Sequence, residues 1–378
     1  MKERKNGAVE PVWLAIIRIL LGLIFVFSST VKGIDPVGTA YRVEDYLVVF
    51  GWTNLLPYSI YIAFLVIISE FILGIAFLFK TLMRIAIPGM FLMMSFFTVV
   101  TLFDAINNWV PDCGCFGDAV KLSNWHTFYK NVVIISLNVI FVLKINIYAL
   151  RKCNARKTAA LFLTGILFTG FVIYNYNHLP VIDFRNWKEG RDMKTGESGK
   201  EKIYVIYKNK KSGEIKEFLS PDYPWNDSVW MSQWEFVDQR TDDSQVVKKY
   251  DLQIEDSSGT NVTKDIIESP DYQFIIVSYY LGDGSEKGFE KLPAIVDYLN
   301  TKGVNVVLLT ASENSDIKAF LKRYRLNVDT YFADDIQLKA MIRSNPGLIL
   351  LKNGVVLKKW HYNDFPGVKQ LDQLLKDE

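Results

Sequence analysis

Residues 12–30, 58–79, 85–103, 132–150 and 159–174 form five long apolar runs, close to the roughly 20 residues a bilayer core demands. Lipid offers no hydrogen bonds to a backbone, so separate runs of this kind are confined to helices. After about Tyr176 the pattern changes to charges, turns and short apolar stretches, as in a water-soluble domain. The composition, 50% hydrophobic yet 22% charged, is the sum of these two halves. A formal charge of +2, with no basic tract carrying interleaved aromatics in the second half, excludes nucleic acid as a partner. Lipid is the partner that the first half requires.

Lysines and arginines gather at Lys2, Arg4 and Lys5, at Lys80 and Arg84, and at Lys144, Arg151, Lys152, Arg156 and Lys157, which are alternate ends of the runs. The positive-inside rule then predicts a cytoplasmic N-terminus and an exported C-terminal half. Two other readings compete with this one. The first run as a cleaved signal peptide is disfavoured by its length and by Ser28-Ser29-Thr30-Val31-Lys32, a poor cleavage site. Four spans with residues 159–174 left in the cytosol are disfavoured by the basic cluster just before that run.

Charges inside a membrane need partners or tasks. Arg18 in the first span and Glu70 in the second are expected at similar depths and therefore as an ion pair, whose task is either chemistry or helix register. Lys32 closes the first span while His126 and Lys130 open the fourth, so all three are expected near the loop between the third and fourth spans. Trp125, His126 and Tyr129 also fit an interfacial aromatic belt.

That loop reads Asp112-Cys113-Gly114-Cys115-Phe116-Gly117-Asp118. Two sulfurs one residue apart can form or break a disulfide without large chain movement, and nearby cations favour the reactive thiolate. Gly114 and Gly117 supply the backbone freedom that a tight ring needs. A structural disulfide and a zinc site with Asp112, Asp118 and His126 are the competing readings, the second lacking the usual paired spacing of four ligands. Cys153 falls on the other side of the membrane.

The run from Arg18 through Gly22 and Ser28 to Lys32-Gly33, with Glu70-Phe-Ile-Leu-Gly74, resembles the DoxX family, and Cys113-Gly-Cys-Phe-Gly117 followed by Lys130-Asn131 is similar to its MauE branch. Together they cover roughly the first 150 residues. The resemblance implies a four-helix membrane bundle at 1–150, extended here by a fifth span at 151–177. It also implies a link to sulfur-compound oxidation with a quinone as cofactor, and to disulfide formation in periplasmic enzymes. Arg18, Glu70, Cys113 and Cys115 are the residues on which it rests.

The remainder is expected as a β-rich linker or insert at 178–246 and an α/β domain at 247–378. Strand patterns at 202–207 and 213–218 read as a hairpin and 234–238 as a further strand. Pro221, Pro224, Trp225 and Trp230 mark a loop with aromatics. Strands at 274–280 and 304–310 alternate with helices at 287–301 and 312–325, the latter opened by Ser312 or Ser315. A strand at 330–332, a helix at 336–342 and a hairpin around Lys352-Asn353-Gly354 follow, then a last helix.

This order, with the lead-in at 250–262 and Ser344-Asn345-Pro346-Gly347, resembles a thioredoxin-like domain of the kind tethered to bacterial envelopes. The resemblance implies a cis Pro346 facing the site, with Asn345 and Pro346 as partner-binding residues. Where that family carries its cysteines this chain reads Leu281-Gly-Asp-Gly-Ser-Glu-Lys287, so the domain is redox-inactive and binding an extended peptide or protein is its residual use. The combined expectation is a bacterial inner-membrane protein, its last domain periplasmic, that passes electrons from periplasmic thiols through Cys113/Cys115 to a membrane quinone. The alternative is a non-enzymatic membrane subunit or adaptor. Nucleotide or metal enzymes have no supporting motif.

Overall fold

The computed structural model describes residues 10–110, 117–120, 122–145, 154–194, 202–220, 222–242 and 252–376. The chain divides into two compact units, the first made of Met1–Arg185 with Ile342–Gly347 and Trp360–Pro366, the second of the remaining segments.

The first unit is helical: α1 (Val12–Ile34), α2 (Pro36–Val49), α3 (Ser59–Phe79), α4 (Met83–Asn107), α5 (Asn124–Lys144) and α6 (Ala155–Asn177). Among the described residues, five helices are long and apolar enough to cross a membrane, namely α1, α3 with the short 3-10 turn before it, α4, α5 and α6. The chain is thus a membrane protein. Leu21, Phe25, Phe77, Met90, Met94 and Phe141 form the middle of its packed core, while lipid-compatible side chains such as Leu65, Leu92, Leu143 and Ile166 point outward.

Two features depart from the apolar reading. The fourth span begins eight residues earlier than residue 132, because Ser123 caps α5 by accepting from the His126 N–H and the polar residues that follow turn inward instead of leaving the helix. Between α1 and α3 runs α2, an additional helix too polar to cross. Asp35 caps it, accepting from the Gly38 N–H at 2.8 Å, and Pro36 takes the first-turn position where its missing N–H costs nothing.

The second unit holds two sheets. β1 (Lys202–Asn209) and β2 (Ile215–Leu219) form the expected hairpin. After the short α7 (Ser228–Gln233), β3 (Trp234–Asp242) pairs antiparallel with β1. Trp230, Trp234, Tyr207 and Phe218 pack together on it, so Trp230 is a packing residue while Trp225 stays exposed.

Then come α8 (Thr263–Ile267), β4 (Tyr272–Ser278), α9 (Glu286–Phe289), α10 (Leu292–Thr301), β5 (Asn305–Thr310), α11 (Asn314–Tyr324), β6 (Asp329–Phe332), α12 (Asp335–Met341), β7 (Gly347–Lys352), β8 (Val355–His361) and α13 (Val368–Leu374). The second sheet runs β6-β5-β4-β7-β8, with β4 and β6 both parallel to β5. β4 is almost wholly buried, as a central strand covered on both faces must be. Asn353 and Gly354, both at positive φ, make the two-residue turn between β7 and β8. Ser312 does not cap α11, since its hydroxyl accepts from the Leu281 N–H at 2.9 Å. Glu313 occupies the cap without a side-chain bond. The Asn345–Pro346 bond is cis.

Candidate functional site

Helices α1 and α3 run antiparallel and touch backbone to backbone. A β-carbon on Gly22 would lie 2.9 Å from the Gly74 carbonyl oxygen, and one on Gly74 would lie 2.9 Å from the Val26 nitrogen. This close approach sets the register and decides which charges meet. Arg18 comes level with the end of α3, donating from Nη1 to the Phe77 carbonyl and to the Leu78 carbonyl at 2.9 Å. Its Nε lies 3.1 Å from Glu10, which also holds Lys80 at 2.9 Å.

The expected Arg18–Glu70 pair is therefore not formed. Glu70 precedes Leu78 by eight residues, about 12 Å at ~1.5 Å per residue, too far for a side chain already engaged at a helix C-terminus. Glu70 instead takes Lys32 Nζ at 2.7 Å and accepts from the Ser28 hydroxyl at 3.3 Å. Lys32 also stands 5.2 Å from the centre of the Phe97 ring. Both partners are buried.

The inward face of α5 adds amides. Asn124, Thr127, Asn131 and Asn138 follow one another at intervals of three, four and seven residues, which places them on one side of a helix, and all four are buried. Asn131 Nδ2 donates to Thr101 Oγ1 at 3.1 Å. Asn124 Nδ2 donates to the Val110 carbonyl at 3.0 Å. Asn138 is fully buried, and neither its Nδ2 nor its Oδ1 has a hydrogen-bond partner among the described residues. Asp104 on α4 accepts from the Tyr46 hydroxyl of α2.

Where α1 ends, Asp35 is gripped by Arg343, whose Nε lies 2.9 and 3.1 Å from the two carboxylate oxygens. Arg343 Nη2 reaches Asp118 at 3.2 Å, Arg42 approaches Asp118 at 3.9 Å, and the Tyr41 ring lies under the Arg343 guanidinium at 5.3 Å. Burial pushes the Asp35 carboxyl up, but the Arg343 and Arg185 charges and the Gly38 N–H together outweigh it and hold the group below the ordinary carboxylate range. Beside Arg343, the Ser344 hydroxyl donates to the Pro346 carbonyl at 2.5 Å and accepts from the Tyr362 N–H at 3.0 Å, which fixes the turn carrying Asn345 and Pro346.

Cys113, Cys115 and Cys153 lie outside the described residues. The described anchors of the cysteine segment are Val110, held by Asn124, and Gly117, whose β-carbon would touch Val31 of α1 at 3.3 Å. Lys32, Asp35 and Asp118 belong to that same end of the bundle. His126 is exposed and its Nδ1 is 2.6 Å from Ser123 Oγ, and Lys130 lies one turn further along α5. Trp125 and Tyr129 are exposed and their rings adjoin, as an interfacial belt requires.

Asp35, Asp104, Tyr46, Asn124, Asn138 and Arg343 were not singled out from sequence. Asparagines at 124, 131 and 138, one heptad apart in an otherwise apolar helix, were the available signal. Residues 11–144 match the family model described as methylamine utilisation protein MauE, a match that takes in four of the five spans. Among curated proteins none matches the chain.

Proposed function

We propose that this protein is an inner-membrane thiol oxidant in which Cys113 and Cys115 accept electrons from periplasmic thiols. A substrate thiolate attacks one sulfur of the loop disulfide, forming a mixed disulfide and releasing the other sulfur as a thiol. A second substrate thiolate then displaces the first loop sulfur. The substrate leaves as a disulfide, and Cys113 and Cys115 hold its two electrons as thiols.

The observation that carries this reading is the polar interior at the end of the bundle where both anchors of the cysteine segment sit. Lys32 and Glu70 are paired there, and the α5 amides run inward from it. A membrane quinone fits the bundle on one count: the buried Asn138 amide has no hydrogen-bond partner among the described residues, and a quinone carbonyl would accept from its Nδ2. When bound, a quinone supplies a two-electron sink. Asn138 Nδ2 would hold its oxygen, and the Lys32–Glu70 pair would carry charge balance within the bundle.

The second unit is read as a thioredoxin-like domain. The order β6-β5-β4-β7-β8, the parallel β4–β5 pair and the β7–β8 hairpin after Pro346 support that reading. Its 281–287 segment has no cysteine, so its task is to bind the thiol partner through the Asn345–Pro346 turn. The test is the redox state of Cys113 and Cys115 in living cells with and without respiratory quinone, and in a Cys115→Ser strain. Loop cysteines that accumulate reduced without quinone, and periplasmic thiols that stay reduced in the variant, are the expected results. A loop disulfide that never changes state, with normal thiol oxidation in C115S, would end the proposal and leave a structural cross-link.

A further inference from the structure

Three other carboxylates of the first unit have cations, the buried Asp35 and Glu70 and the half-buried Glu10. Glu10 has Arg18 and Lys80, Asp35 has Arg343, and Glu70 has Lys32. Asp104 is 1% exposed, and no lysine or arginine pairs with it among the described residues. Tyr46 donates to Oδ2, and Oδ1 has no hydrogen-bond partner among the described residues. The position worsens the imbalance. Asp104 lies in the last turn of α4, where the helix dipole presents its negative end and disfavours a carboxylate while favouring a positive ion.

A second orphan belongs to Asn124, whose side chain touches the Asp104 backbone. Asn124 points Nδ2 at three oxygens, the Val110 carbonyl at 3.0 Å, the Asp104 carbonyl at 3.4 Å and Asn108 Oδ1 at 3.4 Å. Reversing the amide would set an oxygen against all three, so the orientation is settled by chemistry. The Asn124 Oδ1 is therefore an acceptor, buried and likewise without a hydrogen-bond partner among the described residues. Two unsatisfied buried acceptors, one of them a carboxylate oxygen, at a helix C-terminus call for a positive ligand, not for another acceptor.

We infer that Asp104 and Asn124 form a site for a small alkali cation, Na+, at the α4–α5 end of the bundle, with Asp104 Oδ1 and Asn124 Oδ1 as its protein ligands. Hard oxygen donors suit such an ion, and a single carboxylate matches a monovalent charge better than a divalent one. The site is independent of the thiol chemistry proposed above.

Binding to the folded state alone raises apparent stability with ligand concentration. The test measures thermal unfolding of the full chain in lipid nanodiscs, in NaCl against choline chloride at equal ionic strength and several fixed pH values. The wild type is expected to gain several degrees in NaCl. Asp104→Asn should lose that gain while keeping a melting temperature no lower than the wild type in choline, because its neutral amide removes the unpaired charge. Absence of a Na+ shift in the wild type, an equal shift in D104N, or a shift that follows pH and ignores Na+ would each overturn the inference, the last by showing that a proton fills the place.

Discussion

Replacing Lys32 by Met tests how the bundle tolerates its buried charges. With Nζ 2.7 Å from Glu70, the direct attraction is about 6 kcal/mol at an effective dielectric near 20, and removing both ions from water cancels much of it. The pair as a whole therefore adds little to stability. Its disruption is another matter, because Glu70 is 3% exposed and, among the described residues, would be left with a neutral partner, the Ser28 hydroxyl. K32M is expected to cost about 3–5 kcal/mol, a fall of about 10 °C in Tm. Replacing both residues, K32M with Glu70→Leu, should return most of that loss. The assay is a double-mutant cycle by thermal unfolding in nanodiscs. A cost below about 1 kcal/mol for K32M, the threshold expected of exposed pairs, or a double variant as weak as the sum of the two singles, would refute the view that an uncompensated carboxylate sets the penalty.

Three further outcomes follow from the geometry. Gly74→Ala places a methyl 2.8–3.0 Å from Val26 and the Gly22 carbonyl and should cost about 1–3 kcal/mol by forcing α1 and α3 apart. Gly89→Ala, which meets only the mobile end of Leu73 at 3.1 Å, should be distinctly milder in the same unfolding assay. Asp35 has a depressed carboxyl pKa, so its contribution is present above the unfolded value of about 3.9 and is lost as pH falls through the lower folded value. Asp35→Asn should accordingly reduce Tm at neutral pH and flatten its decline in acid. Ser123→Ala removes the cap of α5 and should cost about 1 kcal/mol, read as a lower Tm.

Much of the architecture is legible because lipid permits so few solutions. Five apolar runs become five span-length helices, and short apolar runs bounded by turn residues become β1 to β5. The parts that escaped are those where polarity and structure coincide. The first two turns of α5 look like a loop by hydropathy, yet Asn124, Thr127 and Asn131 are buried against neighbours. The α2 helix reads as a polar connection because only Pro36, Ala40 and Leu47 are buried in it, although it brings Tyr46 to Asp104 and Arg42 to Asp118.

The mistaken partner for Arg18 shows why charge pairing is harder to read than span number. Counting residues from the span ends places Arg18 and Glu70 near one depth, but ends counted this way carry an error of a turn or more, and an ion pair tolerates an error of only a few ångströms. What sets the depth is the Gly22–Gly74 contact, because two helices lacking side chains at one point slide until those points coincide. Once they do, Arg18 falls beside the last carbonyls of α3, where a cation is favoured, and the next cation along α1, Lys32, falls within reach of Glu70. Glycines that look like family decoration in the sequence are thus what assigns each charge its partner. Moving that contact by one turn would part Lys32 from Glu70 and strand two buried ions.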